Sequence, residues 1–92
     1  MISNFRCVDT AAMFAGKRVR RFVNIETVAM RKLAMLHRAA NVNDLRIPPN
    51  NRLELLKGDR AGQYSIRIND QWRVCFRFEG GNAFDVEIVD YH

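Results

Sequence analysis

The spacing of hydrophobic residues changes once along this chain, and that change constrains the fold most. Residues 25–40 place apolar side chains at the three- and four-residue intervals of an amphipathic helix. No helix continues through the sequence PPNN at 48–51, because proline lacks an amide donor and asparagine favours turns. From Arg52 onward, apolar and polar residues alternate as in half-buried strands. The chain is therefore predicted to form helices first and a sheet afterwards.

Two helices are expected before the sheet. The first covers residues 8–15 and can be capped by Asp9 or Thr10. The second covers residues 25–40, and Asn24 can serve as its N-cap. Three cations are expected on or near the solvent side of the second helix: Arg31, Lys32 and Arg38.

About four strands should follow as a meander, after a possible short first strand over residues 2–6. Alternation turns an apolar set toward the helices: Tyr64, Ile66, Ile68, Trp72, Val74, Phe76, Phe78, Phe84, Val86 and Ile88. The opposite face keeps Arg67, Arg73, Arg77 and the acids of the last strand. This predicts an α+β fold in a single domain over residues 1–92, with two N-terminal helices packed on one face of a small, mainly antiparallel β-sheet.

Charge and cysteine content narrow the function classes. The 92 residues carry 15 lysines and arginines against 10 acids, a net charge of +5, and 12 of those cations are arginine. Guanidinium groups match phosphate oxygens, so a polyanionic partner is favoured. Two cysteines without a Cys/His cluster predict neither a disulfide scaffold nor a zinc site. The absence of a long apolar run predicts a cytoplasmic protein without membrane contact.

Three groups of residues could carry chemistry, and each has an ordinary structural alternative. The arginines of the open sheet face could bind phosphate, or could pair across strands with Asp85 and Glu87. The terminal sequence DYH at 90–92 could be held by the last strand, or could be a solvated tail. Lys57 could reach a groove or lie in a surface loop. Alternation would put it on the buried side with Leu53 and Leu55, so the strand must end or bulge before it.

Together these side chains would suffice for RNA cleavage without a metal. The reaction needs a base for the 2′-OH proton, cations for the phosphoryl oxygens and an acid for the leaving 5′-oxygen. An imidazole, a carboxylate, a phenol, a lysine and an arginine can supply these roles.

Several motifs resemble the HigB branch of the RelE-like toxins. They are LKGDRAGQYSIRIN at 56–69, QWRVCF at 71–76, the ending DYH, and the predicted helix RKLAMLHRA at 31–39. The resemblance implies a small basic endoribonuclease of a type II toxin–antitoxin system that cleaves mRNA in the ribosomal A site. It also implies neutralisation by a helix-turn-helix antitoxin, repression of operator DNA through that antitoxin, and no cofactor.

Residue by residue, the resemblance assigns roles at the site. Lys57 and Arg73 would stabilise charge in the transition state. His92 would be the main acid or base, Asp90 would orient it, and Tyr91 would stack or transfer a proton. We also expect three further arginines to bind RNA: Arg60, Arg67 and Arg77.

One position departs from the family pattern. Some relatives have a histidine where this chain has Glu54. A carboxylate there would repel phosphate, act as a base or pair with a nearby arginine, and we expect weaker cleavage. Two other functions stay open: a non-catalytic RNA-, ribosome- or DNA-binding module with a basic sheet face, and a toxin-like protein that only binds its partner. The basic run at 17–21 has no assigned role.

Overall fold

The helices form where the hydrophobic spacing predicts them. A computed structural model describes residues 1–90, with helix α1 at Val8–Phe14 and helix α2 at Glu26–Arg38. Short 3-10 helices occupy Arg20–Ile25, Val42–Arg46, Pro49–Asn51 and Gly58–Arg60. None of the helices in this part of the chain combines the length and the apolar character needed to cross a bilayer.

The predicted helix caps are wrong. Ile25, not Asn24, precedes α2, because the 3-10 helix Arg20–Ile25 runs directly into it. Cys7, not Asp9 or Thr10, precedes α1. The Thr10 hydroxyl instead accepts a hydrogen bond from the backbone N–H of Ile88 at 3.0 Å, and thereby ties α1 to the sheet.

The sheet has four antiparallel strands in chain order. They are β1 at Glu54–Leu55, β2 at Tyr64–Arg67, β3 at Trp72–Glu79 and β4 at Asn82–Asp90. The predicted strand over residues 2–6 is reduced to two isolated parallel bridges to β4, Ile2 with Ala83 and Phe5 with Val86.

One hydrophobic core joins the helices to one face of this sheet. Helix α2 contributes Ala29, Leu33 and Leu36, all fully buried, and the sheet contributes Ile66, Val74, Phe76 and Val86. The predicted α+β class, with both helices on one face, is confirmed.

A bulge in β4 changes the predicted direction of one aromatic residue. The register of β3 and β4 shifts between Cys75 and Arg77, and Asp85 has a φ of 55°. The extra residue turns Phe84 to the face opposite the helices, beside Arg77, so its predicted core position is wrong. Ala83 takes the core position and is fully buried.

Alternation also fails at β1. Leu55 is 58% exposed, whereas the next residue, Leu56, is buried. The strand ends after two residues, and the Leu56 N–H donates to the Gln63 carbonyl at 2.8 Å as the chain turns. The prediction that the strand ends or bulges before Lys57 is confirmed, because β1 ends at Leu55. Leu55 pairs with Tyr64 on the helix-facing side of the sheet, but the core does not cover it.

Lys32 is buried rather than solvent-facing, contrary to the predicted helix face. It is 4% exposed, and its ammonium donates to Asn51 Oδ1 at 2.5 Å. Asn51 in turn donates to the Leu45 carbonyl at 3.1 Å. The connection between α2 and the sheet therefore covers this side of α2, and burial, with a smaller effect of Arg31, lowers the pKa of Lys32.

Candidate active site on the open face of the sheet

The sheet face turned away from the helices, here called the open face, carries one polar or thiol side chain from each strand in a single row. The register aligns Glu54, Ser65, Cys75 and Glu87 across β1 to β4. Ser65 and Cys75 are fully buried, although they lie outside the helix-facing core. Arginine side chains from neighbouring positions contact this row.

Arg73 lies on the open face, as alternation predicts. Its Nη1 donates to Ser65 Oγ at 3.4 Å and lies 3.8 Å from Glu54 Oε2. The Arg73 side chain is 17% exposed and that of Glu54 is 53% exposed. The guanidinium is thus held over β2 while part of it faces solvent, a position from which it could contact a phosphate.

Arg60 crosses from the loop after β1 to the last strand. Its Nη1 donates to Glu87 Oε1 at 2.8 Å and to Gln63 Oε1 at 3.1 Å. Glu87 is the more buried partner, with 15% of its side chain exposed. Because Arg60 ends the 3-10 helix Gly58–Arg60, this ion pair fixes that turn on the sheet.

Lys57 immediately precedes the same turn and is exposed. With Glu54, Leu55, Leu56 and Arg60 it lines a cleft of ≈ 350 Å³. The fold therefore brings Lys57 and Arg60 together at one cleft, and Glu54 connects this cleft to Arg73.

The end of β4 lies next to the start of β3. Val89 pairs with Arg73 and Asp90 pairs with Trp72 in the register of the two strands. The Asp90 carboxylate accepts a hydrogen bond from Gln71 Nε2 at 3.2 Å. The sheet thus positions Asp90 one register step from Arg73, but on the face of Trp72 rather than on the open face. Tyr91 and His92 lie outside the described residues, and their roles stay predictions.

The two remaining arginines of the open face pair with acids. Arg67 pairs with Asp70 in the turn that follows β2. The Arg77 Nε donates to Asp85 Oδ2 at 2.9 Å across the β3–β4 ladder, which confirms the cross-strand alternative for this pair. The hydrogen bond from Arg77 holds the pKa of the Asp85 carboxyl below its usual range, with a further hydrogen bond from Asn4. RNA binding by Arg60, Arg67 and Arg77 stays a prediction.

The thiol of Cys75 is poorly suited to act as a nucleophile. Burial raises its pKa, so the thiol stays protonated at neutral pH. Within residues 1–90, no group of three His, Cys, Asp or Glu side chains is arranged to hold a metal ion.

Sequence reasoning missed the structural partners of the site. It did not pair Arg60 with Glu87, or Arg73 with Ser65. Alternation places Glu87 and Ser65 on the open face. It does not predict the path of the loop that brings Arg60 across the sheet, because that loop has no alternating pattern. Of the three roles expected for Glu54, the structure shows the ion pair with a nearby arginine, Arg73.

The family model and the similar proteins found by comparison all belong to one family of toxins. Residues 14–92 match the family model of the RelE-like toxin of type II toxin–antitoxin system HigB. The chain is 45% identical over 62 residues to Toxin HigB-1 of Vibrio cholerae serotype O1, a match that covers 67% of this chain and 65% of that protein. It is 44% identical over 41 residues to Endoribonuclease HigB of Proteus vulgaris, covering 45% of each protein. The chain thus spans less than two thirds of these relatives.

The fold has a counterpart among solved structures. The chain superposes with a TM-score of 0.55 on a chain of the YoeB–YefM toxin–antitoxin heterotetramer of Staphylococcus aureus, at 22% identity. The match covers 79% of this chain and 82% of that one, and it shows a shared fold. The family model spans the open face with its cleft and the whole sheet. The chain therefore belongs to the HigB family of RelE-like toxins of type II toxin–antitoxin systems.

Proposed function

We propose that this protein is a ribosome-dependent endoribonuclease that cleaves mRNA in the ribosomal A site without a metal ion and so inhibits translation. The observation that carries the proposal is the position of Arg73. It is held on the open face by Ser65 and Glu54, beside the cleft of Lys57 and next to the end of β4. A phosphodiester on this face would meet cations from two sides.

The proposed reaction is an internal displacement at phosphorus. His92 is the main acid or base of this reaction, and a base takes the proton of the 2′-OH. The 2′-oxygen bonds to phosphorus, the bond to the 5′-oxygen breaks, and an acid protonates that oxygen. Arg73 and Lys57 stabilise the charge on the non-bridging oxygens. Asp90 orients His92, and Tyr91 stacks on a base or transfers a proton.

The relatives support the activity and a protein partner. One matched relative is named Endoribonuclease HigB, and the structural neighbour is part of a toxin–antitoxin complex. We propose a helix-turn-helix, HigA-like antitoxin that neutralises this protein in the cytoplasm, and operator DNA bound through that antitoxin. Addition of such an antitoxin to the cleavage reaction below should stop it.

The decisive experiment compares naked mRNA with the same mRNA on programmed ribosomes and maps the cut sites by primer extension. We expect cuts in the A-site codon, dependent on ribosomes and unaffected by a chelator of transition metals that leaves Mg²⁺ available to the ribosome. Equal cutting of naked RNA would contradict ribosome dependence. Ribosome binding without any cleavage of mRNA would favour the alternative function, a non-catalytic RNA- or ribosome-binding module.

Arg73→Gln tests the role of the residue that carries the proposal. Removing this cation should lower cleavage by about 10²-fold, the loss typical of one charge-stabilising donor. It should also weaken ribosome binding and reduce its salt dependence. The matched control is Arg31→Gln on the exposed side of α2, which should cleave like the parent protein.

A further inference from the structure

The excess positive charge of this protein is concentrated away from the proposed cleavage face. On the open face, four arginines have acidic partners: Arg60 with Glu87, Arg67 with Asp70, Arg73 with Glu54 and Arg77 with Asp85. In the segment Lys17–Arg21, here called the basic segment, Lys17, Arg18 and Arg20 are exposed. These three have no ion-pair partner among residues 1–90, so they are available to an external anion.

The basic segment is fixed to the body of the protein rather than loose. Val19 packs against the core between the exposed cations, and the following Phe22 is fully buried. Arg21 is the one cation of the segment that is used internally. Its Nε lies 3.1 Å from Asp9 Oδ2, its Nη2 lies 3.4 Å from Cys7 Sγ, and its guanidinium lies 4.6 Å from the Phe22 ring centroid. The three exposed cations are thus presented on a braced backbone, which lowers the entropy cost of binding.

The basic segment lies behind the end of the sheet that carries the proposed catalytic groups. Phe22 packs edge-on against Trp72, with 5.7 Å between ring centroids. Trp72 directly precedes Arg73 and pairs with Asp90. Because Trp72 faces the helices and Arg73 faces the opposite side, the segment and the cleavage face lie on two sides of the same sheet end.

We propose that the basic segment binds the phosphate backbone of ribosomal RNA and so holds the protein in the A site independently of mRNA. This rests on the proposed function, since it takes the ribosome as the target. The exposed side chains of the segment are all cations, a composition suited to phosphates; protein–protein contacts are instead centred on buried aromatic and apolar anchors. An mRNA strand on the open face occupies the other side of the sheet. Phosphates that reach the segment therefore belong to the RNA around it.

The test is a triple variant that removes the three exposed charges, Lys17→Gln with Arg18→Gln and Arg20→Gln. Binding to 70S ribosomes without mRNA is measured against monovalent salt. Loss of three phosphate contacts should lower the slope of log affinity against log salt by roughly 2 and weaken binding at least about tenfold near 0.1 M salt. At saturating ribosome concentration, cleavage of bound mRNA should proceed at the parental rate.

A charge-matched control distinguishes a specific RNA-binding site in the basic segment from a general effect of the net positive charge. Arg31→Gln with Arg38→Gln and Arg46→Gln removes three exposed cations from α2 and the 3-10 helix Val42–Arg46. This control should change the slope by less than 1. Equal losses in the two triple variants would overturn the proposal, as would a loss that appears only when mRNA is present. Parental ribosome binding with lost antitoxin binding would assign the segment to a protein partner instead.

The experiment also separates this inference from the proposed function. If the parent protein binds ribosomes through the basic segment but cuts no mRNA, the endoribonuclease proposal fails and the inference holds. If it cuts A-site mRNA and the triple variant binds ribosomes as the parent does, the inference fails alone.

Discussion

The Glu54 carboxylate is the acid that a substrate phosphate would compete with for Arg73. Glu54 Oε2 lies 3.8 Å from Arg73 Nη1 and also lines the cleft with Lys57 and Arg60. A phosphate that binds Arg73 must compete with this acid. The contact explains in physical terms why a carboxylate in place of the histidine of some relatives should weaken cleavage.

Glu54→Gln and Glu54→His should therefore both increase cleavage of ribosome-bound mRNA. Loss of an exposed ion pair predicts a gain of about two- to fivefold for the glutamine variant. The histidine variant should gain at least as much, because a protonated ring adds a cation to the cleft. The measurement is the single-turnover rate on programmed ribosomes. No gain in either variant would count against Glu54 as a restraint on Arg73.

Arg60 could either hold the turn after Lys57 in place or contact RNA. Its hydrogen bonds to Glu87 and Gln63 describe a residue that holds the turn after Lys57, whereas the sequence alone suggests an RNA contact. The two roles differ in what the loss of Glu87 does. A positioning role makes the two partners equivalent; an RNA contact makes loss of Glu87 favourable by freeing a cation.

We expect Glu87→Gln and Arg60→Gln to lower Tm similarly, by about 4–8 °C for a loss near 1 kcal/mol. The double variant should lower Tm by less than the sum of the two single losses, because both variants remove the Arg60–Glu87 pair. Both should reduce cleavage with little change in the salt dependence of ribosome binding. Asp59→Asn, an exposed acid in the same turn, is the control and should behave as the parent. Tighter ribosome binding by Glu87→Gln would show that Arg60 contacts RNA.

Burial on α2 was predictable from spacing except at Lys32, where a distant segment covers the side chain. Leu33 and Leu36 are core residues, as the helical spacing of α2 predicts. Lys32 is buried because the Pro-containing connection places Asn51 over it, 19 residues along the chain. The spacing of apolar residues within a helix does not predict which distant segment will pack over it.

At the scale of elements, the β3–β4 hairpin shows both the strength and the limit of alternation. The pattern correctly places Val74, Phe76, Val86 and Ile88 in the core. It misplaces Phe84, because a bulge adds a residue to β4, and nothing in the sequence AFDVEIV marks the position of that residue. Asp85, which has a positive φ there, is a residue type that tolerates that conformation better than most.

Asp85→Asn tests the ion pair of this bulge without removing its backbone conformation, since asparagine also accepts positive φ. The folded pKa of Asp85 lies below its ordinary 3.8, so the charged pair with Arg77 stabilises the fold at neutral pH. That contribution is lost as pH falls through the depressed pKa. The variant should melt a few degrees below the parent at pH 7, and the difference should shrink below about pH 4. A Tm difference that is constant from pH 7 to pH 3 would contradict this account.

At the scale of the whole molecule, the order of elements was predictable because the change of hydrophobic period at residues 48–52 separates helices from strands. The distribution of charge was not. The sequence shows a basic protein with twelve arginines but does not show which of them have acidic partners. In the structure, the arginines of the open face pair with acids, whereas Arg18 and Arg20 of the basic segment are exposed on the other side of the sheet. Pairing depends on contacts between residues as distant as Arg60 and Glu87, which no local pattern specifies.

On the proposed function, this charge distribution would let one small protein separate binding from chemistry. Exposed cations of the basic segment would supply long-range attraction to RNA, while the paired arginines of the open face would contact RNA at short range. On the proposed function, acid–base catalysis on ribosome-bound mRNA takes place at the end of the sheet, where Asp90 of β4 lies one register step from Arg73.

The most direct measurement of that claim is the single-turnover cleavage rate of His92→Gln on saturating programmed ribosomes, with ribosome affinity measured in parallel. Loss of one acid–base group predicts a rate about 10²–10⁴-fold below that of the parent protein, with affinity within about threefold. His37→Gln, which alters the histidine of α2 that packs against Phe14, should cleave at the parental rate. A His92→Gln protein that cleaves as fast as the parent would contradict the account.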